Sequence, residues 1–329
     1  MPEDVNKDGL NIREADRLEV TILMDNYTDM LLTEHTDVYR RPQLPLPHIL
    51  LAEHGLSCLI KVYAGDEEHT VLMDAAVTPA CLLHNAKLLK AEPSSIEAVV
   101  LSHGHPDHFL GLFEFLKMVS KERNEKVPLY LHPDAFLERR LNIPAIGRPV
   151  PIPALEEGAL KEAGALPIKS EKALPLAGGL VHTTGEVERT IPFEKGFPWA
   201  EAKIDGNWVY DPFLDDQGLV VQLKGKGLVV ISGCAHAGII NTIEHAKKIT
   251  GTEKVHAVLG GFHLTGQLFD PIIQPTINEL KRINPDYVVP MHCTGWKAIN
   301  RFAEELPEQF ILNTVGTTYT FGENLEAQE

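Results

Sequence analysis

From Leu18 onward, short apolar runs rich in β-branched residues recur between polar turns: Leu18–Met24, Leu56–Tyr63, Thr70–Met73, Ile96–Leu101 and Val127–Leu131. Runs of that length bounded by Gly, Pro and Asp predict strands. Helical spacing follows the later ones, over Pro79–Lys90 behind Thr78 and over Phe109–Lys121. A second series comprises Trp208–Tyr210, Gly218–Leu223, Leu228–Ser232, Val255–Leu259, Tyr287–Pro290 and Phe310–Asn313. Helical patterns over Ile239–Ile249, Pro271–Ile283 and Trp296–Glu304 alternate with it. Each sheet must bury an apolar face, so two such rounds predict an α/β fold. Its form is a four-layer αββα sandwich of two mixed β-sheets with helices outside.

The pattern fades in three places. Residues 1–17 are polar and aperiodic and read as a flexible N-terminal tail, and 323–329 as a C-terminal one. Residues 143–200 are rich in Pro, Gly and Glu and too long for an ordinary connection, so they read as a central insertion or lid within a single domain spanning 18–322.

Composition narrows the function classes. The chain has 329 residues, 44% of them apolar, and a formal charge of −16. It lacks the basic footprint that a phosphate backbone needs, which argues against a nucleic-acid partner and leaves a small-molecule substrate. No apolar stretch approaches a membrane span and the first residues carry no apolar leader core, so a cytoplasmic protein without a membrane partner is expected. Cys58, Cys81, Cys234 and Cys293 form no CxxC pair and read as buried free thiols. Nothing in the pattern sets the oligomeric state.

The chemistry concentrates in VVLSHGHPDHFLGL, residues 99–112, where an apolar strand runs into His103, His105, Asp107 and His108 and then a helix. His103 and His105 alternate and can project toward one point, while Asp107 and His108 open the helix facing the same cleft. Three imidazoles and a carboxylate in six residues suit one or two divalent transition-metal ions, zinc first, with iron or manganese as alternatives.

These residues match the HxHxDH signature, and the chain resembles the metallo-β-lactamase superfamily over most of residues 18–322. By that resemblance LMDAAVTP supplies Asp74, SGCAHAG supplies His236 and VVPMHCTG supplies His292, each after an apolar strand. The superfamily commonly adds a bridging aspartate between the last two. Here VLGGFHLTG, residues 258–266, has none, and His263 is the candidate substitute. That exchange implies a second metal held more weakly than the first. Asp215 or Asp216 could provide the carboxylate from a neighbouring strand, against a plain turn role. Four segments, TILMDN, AEHGLSCLI, SGCAHAGIINT and GGFHL with MHCTGW, resemble one subfamily more narrowly. It is named for the enzyme that joins a dihydropterin diphosphate to a ribofuranosylaminobenzene phosphate in methanopterin biosynthesis.

Outside the motif, His54 and Asn26 are candidate substrate-binding residues, with capping or buried hydrogen bonding as the alternative. Glu186 and Arg189 are a candidate hook from the insertion, with a solvated surface as theirs. His132 reads as a neighbour of the ligands, and His245 as a residue of a surface helix. Two mechanisms share the metal site. In the first, a metal-activated water attacks a small ester, lactone or phosphoester, with Asp107 as the catalytic proton acceptor. In the second, the metals stabilise a departing diphosphate and an acceptor replaces water. Hydrolysis is placed first, the pterin-type transfer second and a non-catalytic ligand-binding protein last.

Overall fold

The computed structural model describes residues 10 and 12–323, so most of both predicted tails lies outside the described residues. Among the described residues the first sheet has eight strands. Their order is Ala165–Lys169, Val127–Leu131, Ile96–Val100, Glu67–Met73, Ser57–Ala64, Arg17–Met24, Thr318–Gly322 and Tyr39–Arg40. The second runs Pro175–Leu176, Val181–Thr183, Gly218–Leu223, Gly227–Ser232, Val255–Gly261 and Tyr287–Met291, with Glu14–Ala15 also paired to Gly218–Leu223. Both are mixed. Glu67–Met73 is antiparallel to Ser57–Ala64 and parallel to Ile96–Val100, and Gly227–Ser232 is antiparallel to Gly218–Leu223 and parallel to Val255–Gly261.

Alternation inside the apolar runs explains the layers, because successive side chains of a strand point to opposite faces. Val20, Ile22, Ile60, Val71 and Val100 meet Leu219, Val229, Ile231, Leu259 and Val289 between the sheets. Their neighbours Leu72, Val99 and Leu101 turn outward onto Leu112, Phe115 and Leu116 of helix Leu112–Arg123. On the other side Val258 and Val288 pack against Ile240, Ile277 and Phe302 from helices Ile239–Thr250, Asp270–Ile283 and Trp296–Glu305. The layers are therefore those of the expected four-layer αββα sandwich.

Several expectations need correction. The region 143–200 is not wholly an insertion: Ala165–Lys169 extends the first sheet beside Val127–Leu131, and Val181–Thr183 pairs with Gly218–Leu223 in the second. What stands apart is a four-stranded sheet of Asn207–Tyr210, Ala200–Ile204, Arg139–Leu141 and Val150–Ile152, and Trp208–Tyr210 belongs there. Its short, partly exposed strands leave little periodicity to read. The N-terminal arm is docked from Ile12, whose neighbour Arg13 pairs with Glu67 at 2.9 Å. Phe310–Asn313 makes only a single bridge to Val288, and the last strand is Thr318–Gly322, whose alternate Tyr319 and Phe321 face the core.

The predicted helix at Phe109 is in two pieces, Pro106–Phe109 and Leu112–Arg123. The break at Gly111 lets the chain pass so close to Ala75 that a Cβ would sit 1.9 Å from its carbonyl oxygen. Among the described residues no helix is long and apolar enough to cross a membrane.

Candidate metal centre

Asp74, His103, His236, His263 and His292 all follow the carboxyl ends of strands, where the two sheets open to one edge. Such ends are the usual place for a ligand in an α/β sheet. The turns are conformationally costly: Asp74, Ala235, His263 and His292 have φ of 59°, 52°, 46° and 53°. Non-glycine residues enter that region at some cost, and such residues cluster where function holds them. Gly104 permits the first turn, since a Cβ there would lie 2.2 Å from the Ala135 carbonyl oxygen.

Three ring nitrogens converge. His103 Nε2 is 3.0 Å from His105 Nδ1, and His236 Nε2 is 3.2 Å from the former and 3.1 Å from the latter. Tetrahedral imidazole ligands at about 2.0–2.1 Å from a metal have nitrogens about 3.3 Å apart, so this triangle fits one ion. Burial, reinforced by neighbouring imidazoles, holds His103 and His236 well below the ordinary histidine range. Burial and the Arg139 guanidinium push His105 down to about 3. All three rings are therefore neutral near pH 7 with lone pairs free to donate.

A second set lies beside it. Asp107 Oδ2 is 3.2 Å from His292 Nε2 and 3.5 Å from His108 Nε2, and the latter is 3.2 Å from Cys234 Sγ. These four donors lie within 4.8 Å of one another. Against the cost of burial, His108 and His292 hold the Asp107 carboxyl well below its usual range, and Asp74 and Asp107 raise His108 well above its own. The carboxylates that favour a proton there favour a divalent cation equally.

Outer residues orient this set. Asp74, fully buried, takes the His108 Nδ1 hydrogen at 2.6 Å and two hydrogen bonds from Ser102, leaving Nε2 to face the cleft. Asp25 accepts the His292 N–H at 2.8 Å. Asn26 Oδ1 accepts from His292 Nδ1 at 3.2 Å, while its Nδ2 donates to His54 Nδ1 at 3.2 Å and to the His292 carbonyl at 3.1 Å. One amide thus sets both rings, directing the His292 lone pair to the cleft and placing a hydrogen on His54 Nε2. Partners of this kind fix ring tautomer and orientation at metal sites.

His54 stands at the mouth, its Nε2 3.6 Å from Asp107 Oδ2 and its ring stacked on His292 at 4.9 Å. The cleft is about 450 Å³. Its floor includes His105, Asp107, Cys234, His236 and His263, and its walls Leu141, Ile152, Phe197 and Phe213. The small sheet supplies Leu141 and Ile152 to the cleft wall.

Other expectations shift. Asn26 sits behind His292, with its amide engaged there. Glu186 is exposed and away from the cleft, and Arg189 turns inward, donating to the His236 carbonyl at 3.2 Å and to Pro212 and Phe213 carbonyls. Buried carbonyls left by the 212–213 and 236 turns take that guanidinium, so these residues do not form a substrate hook. Asp215 is occupied by the Gly104 N–H at 2.7 Å and Arg139 at 2.7 Å; Asp216 Oδ2 accepts the Ala237 N–H at 2.9 Å, and neither residue lies in a candidate metal-ligand group among the described residues. Neither supplies the missing carboxylate. His132 caps the short helical turn at Pro133 by accepting from the Asp134 N–H.

His263 does reach the cleft. Its ring centroid is 4.2 Å from that of His236, and a ring nitrogen lies within 4.8 Å of donors of His236 and Cys234. Gly261 allows a close approach within the chain: a Cβ there would be 2.6 Å from Cys293 Sγ. Sequence reasoning left every cysteine out of the site. The signal available was spacing, since Cys234 precedes His236 by two, the separation that aligns His103 with His105.

Comparison with known proteins agrees with this architecture. Residues 69–177 match the family model described as "Beta-lactamase superfamily domain". The chain is 33% identical, over 92% of its length and 96% of the relative's, to 7,8-dihydropterin-6-methyl-4-(beta-D-ribofuranosyl)-aminobenzene-5'-phosphate synthase of Methanocaldococcus jannaschii. An uncharacterized protein of the same organism is 32% identical over 77% of this chain and 88% of its own length. Among solved structures, Tm1679, titled a metal-dependent hydrolase of the beta-lactamase superfamily, superposes with a TM-score of 0.70 at 22% identity. That match spans 93% of this chain and 100% of the other and shows the fold.

Proposed function

This chain belongs to the metallo-β-lactamase superfamily, and we propose that within it the chain is a metal-dependent transferase joining a dihydropterin diphosphate to a ribofuranosylaminobenzene phosphate. The observation that carries this reading is the likeness to the M. jannaschii synthase at 33% identity across 92% of the chain. It reverses the order in which the motif alone places hydrolysis and transfer.

The cleft supports the reading. A volume of about 450 Å³ lies in the range of small-molecule sites, and the walls of Phe197, Phe213, Leu141 and Ile152 suit flat aromatic rings. His103, His105 and His236 would hold one metal, and Asp107, His108 and His292 a second. Bound there, divalent cations supply the charge that neutralises a departing diphosphate. His54 Nε2–H, held in that tautomer by Asn26, would donate to a phosphate oxygen at the mouth. The apolar walls exclude water while the amine nitrogen bonds to the pterin methylene carbon. As that bond forms, the carbon–oxygen bond to diphosphate breaks, diphosphate takes the electron pair, and the amine loses its proton to solvent.

Hydrolysis of a small ester, lactone or phosphoester remains the second reading. Three imidazoles facing an open cavity are the arrangement that activates water in catalytic zinc sites. The test is incubation of metal-loaded protein with the dihydropterin diphosphate, with and without the arylamine. Coupled product and pyrophosphate only when the amine is present supports transfer. Pyrophosphate at an equal rate without it overturns transfer in favour of hydrolysis, and no turnover with either overturns the pterin reading.

A further inference from the structure

The carboxylate that would complete a second metal position is absent from residues 258–266, and neither Asp215 nor Asp216 replaces it. In the place left, Cys234 Sγ stands 3.2 Å from His108 Nε2 and within 4.8 Å of the ligand atoms of Asp107 and His292. We propose that Cys234 binds the second metal as a thiolate, beside Asp107, His108 and His292.

Geometry, burial and charge point the same way. Tetrahedral ligands at about 2.0–2.3 Å are separated by about 3.3–3.7 Å; three of the six donor separations here are 3.2, 3.2 and 3.5 Å, and the others lie within 4.8 Å. His292 is 3% exposed and its Nε2, aimed into the set, has no hydrogen-bond partner among the described residues. Its Nδ1 is committed to Asn26. Asp107 and a Cys234 thiolate together carry two negative charges, which balance a divalent cation. Among the donors themselves, Asp107 alone would supply one negative charge against the two of the cation. Binding releases the Cys234 proton to solvent, and no oxidation is involved. A sulfur donor also biases the position toward zinc or cobalt over magnesium or calcium. The second metal and its donors then form a charge-neutral complex, which removes the reason for expecting it to bind weakly. His263, near Cys234 and His236, flanks the thiolate.

The proposal rests on the metal centre and is independent of which reaction the protein performs. Titration of metal-free protein with Co²⁺ tests it, followed by absorption and by stoichiometry. The wild type should take two ions, and the second should bring a near-ultraviolet sulfur-to-cobalt charge-transfer band. Cys234→Ser should lose the band and weaken the second ion by more than about tenfold, while Cys234→Asp should lose the band yet retain that ion. Cys293→Ser, which leaves the proposed ligands intact, should keep the band and shows that a thiol change nearby is tolerated. A second ion without the band in wild type, a band persisting in Cys234→Ser, or uptake of only one ion by wild type would each overturn the assignment.

Discussion

The triad of His103, His105 and His236 and the set of Asp107, His108, His292 and Cys234 lie side by side, yet they are assembled from different chemistry. In the triad every donor is a neutral ring, buried at His103 and His236 and partly so at His105, and desolvation prepares it by removing the competing proton. The second set mixes anions with imidazoles, and its order comes from Asp74, Asp25 and Asn26 behind it. The lesson is that a metal position can be prepared by desolvation or by an outer layer of hydrogen bonds, and that substitutions should separate the two.

The largest effect should come from the triad. His236→Ala or His105→Ala removes one of three converging nitrogens, and metal content by elemental analysis should fall by about one ion per chain. Turnover should drop by more than about 100-fold, since even loss of outer partners costs 10–100-fold at metal sites. An equal fall in both variants, with His54→Ala unaffected in metal content, would sharpen the distinction.

Asp74→Asn should spare the triad. It withdraws the acceptor of the His108 Nδ1 hydrogen, so the second metal should weaken by about 10–100-fold in a calorimetric titration while the first keeps its affinity. Loss of both ions together would mean that the two sets form a single unit.

Behind the second-sheet turns, Glu194 accepts the Ile240 and Asn241 N–H groups that open helix Ile239–Thr250. Burial raises its carboxyl from 4.5 to about 7. The folded state therefore holds that proton more tightly than the unfolded chain. The associated stability is present below the unfolded value and is lost as pH rises through the folded one. Denaturant unfolding should show wild-type stability declining by about 1–2 kcal/mol more between those pH values than Glu194→Gln does. Parallel profiles would remove Glu194 as the cause.

At the mouth, His54→Ala should change turnover by about tenfold, the loss of one hydrogen bond to a charged group, with metal content unchanged. Metal loss would make it a structural ring. The smallest effect belongs to His245, which ties the segment at Thr184 and Glu188 to its helix. His245→Ala should lower stability by about 1 kcal/mol and leave both metal content and turnover intact.

How much of this the chain discloses unaided follows the same division. His103, His105, Asp107 and His108 are legible because they are contiguous and follow an apolar strand, and His236 and His292 because each ends another. Cys234 is not, since a buried free thiol and a metal thiolate carry the same letter, and its neighbours come from residues distant in sequence. Arg189 looks like an exposed hook until the carbonyls of His236 and Pro212 are folded around it. The strand of 165–169 escapes notice because an edge position shows little periodicity, and that of 181–183 because three residues are too few to show a period, whereas Val99 and Val258 sit in continuous apolar runs and Val20 alternates with Glu19 and Thr21.

The central claim is that this cleft is a two-position metal centre with separable donor sets. Calorimetric titration of metal-free protein with Zn²⁺, run on wild type, His236→Ala and Asp74→Asn, tests it most directly. The account predicts two binding events in wild type, loss of one in His236→Ala and selective weakening of the other in Asp74→Asn. No binding in wild type, or an identical isotherm for all three proteins, would contradict it.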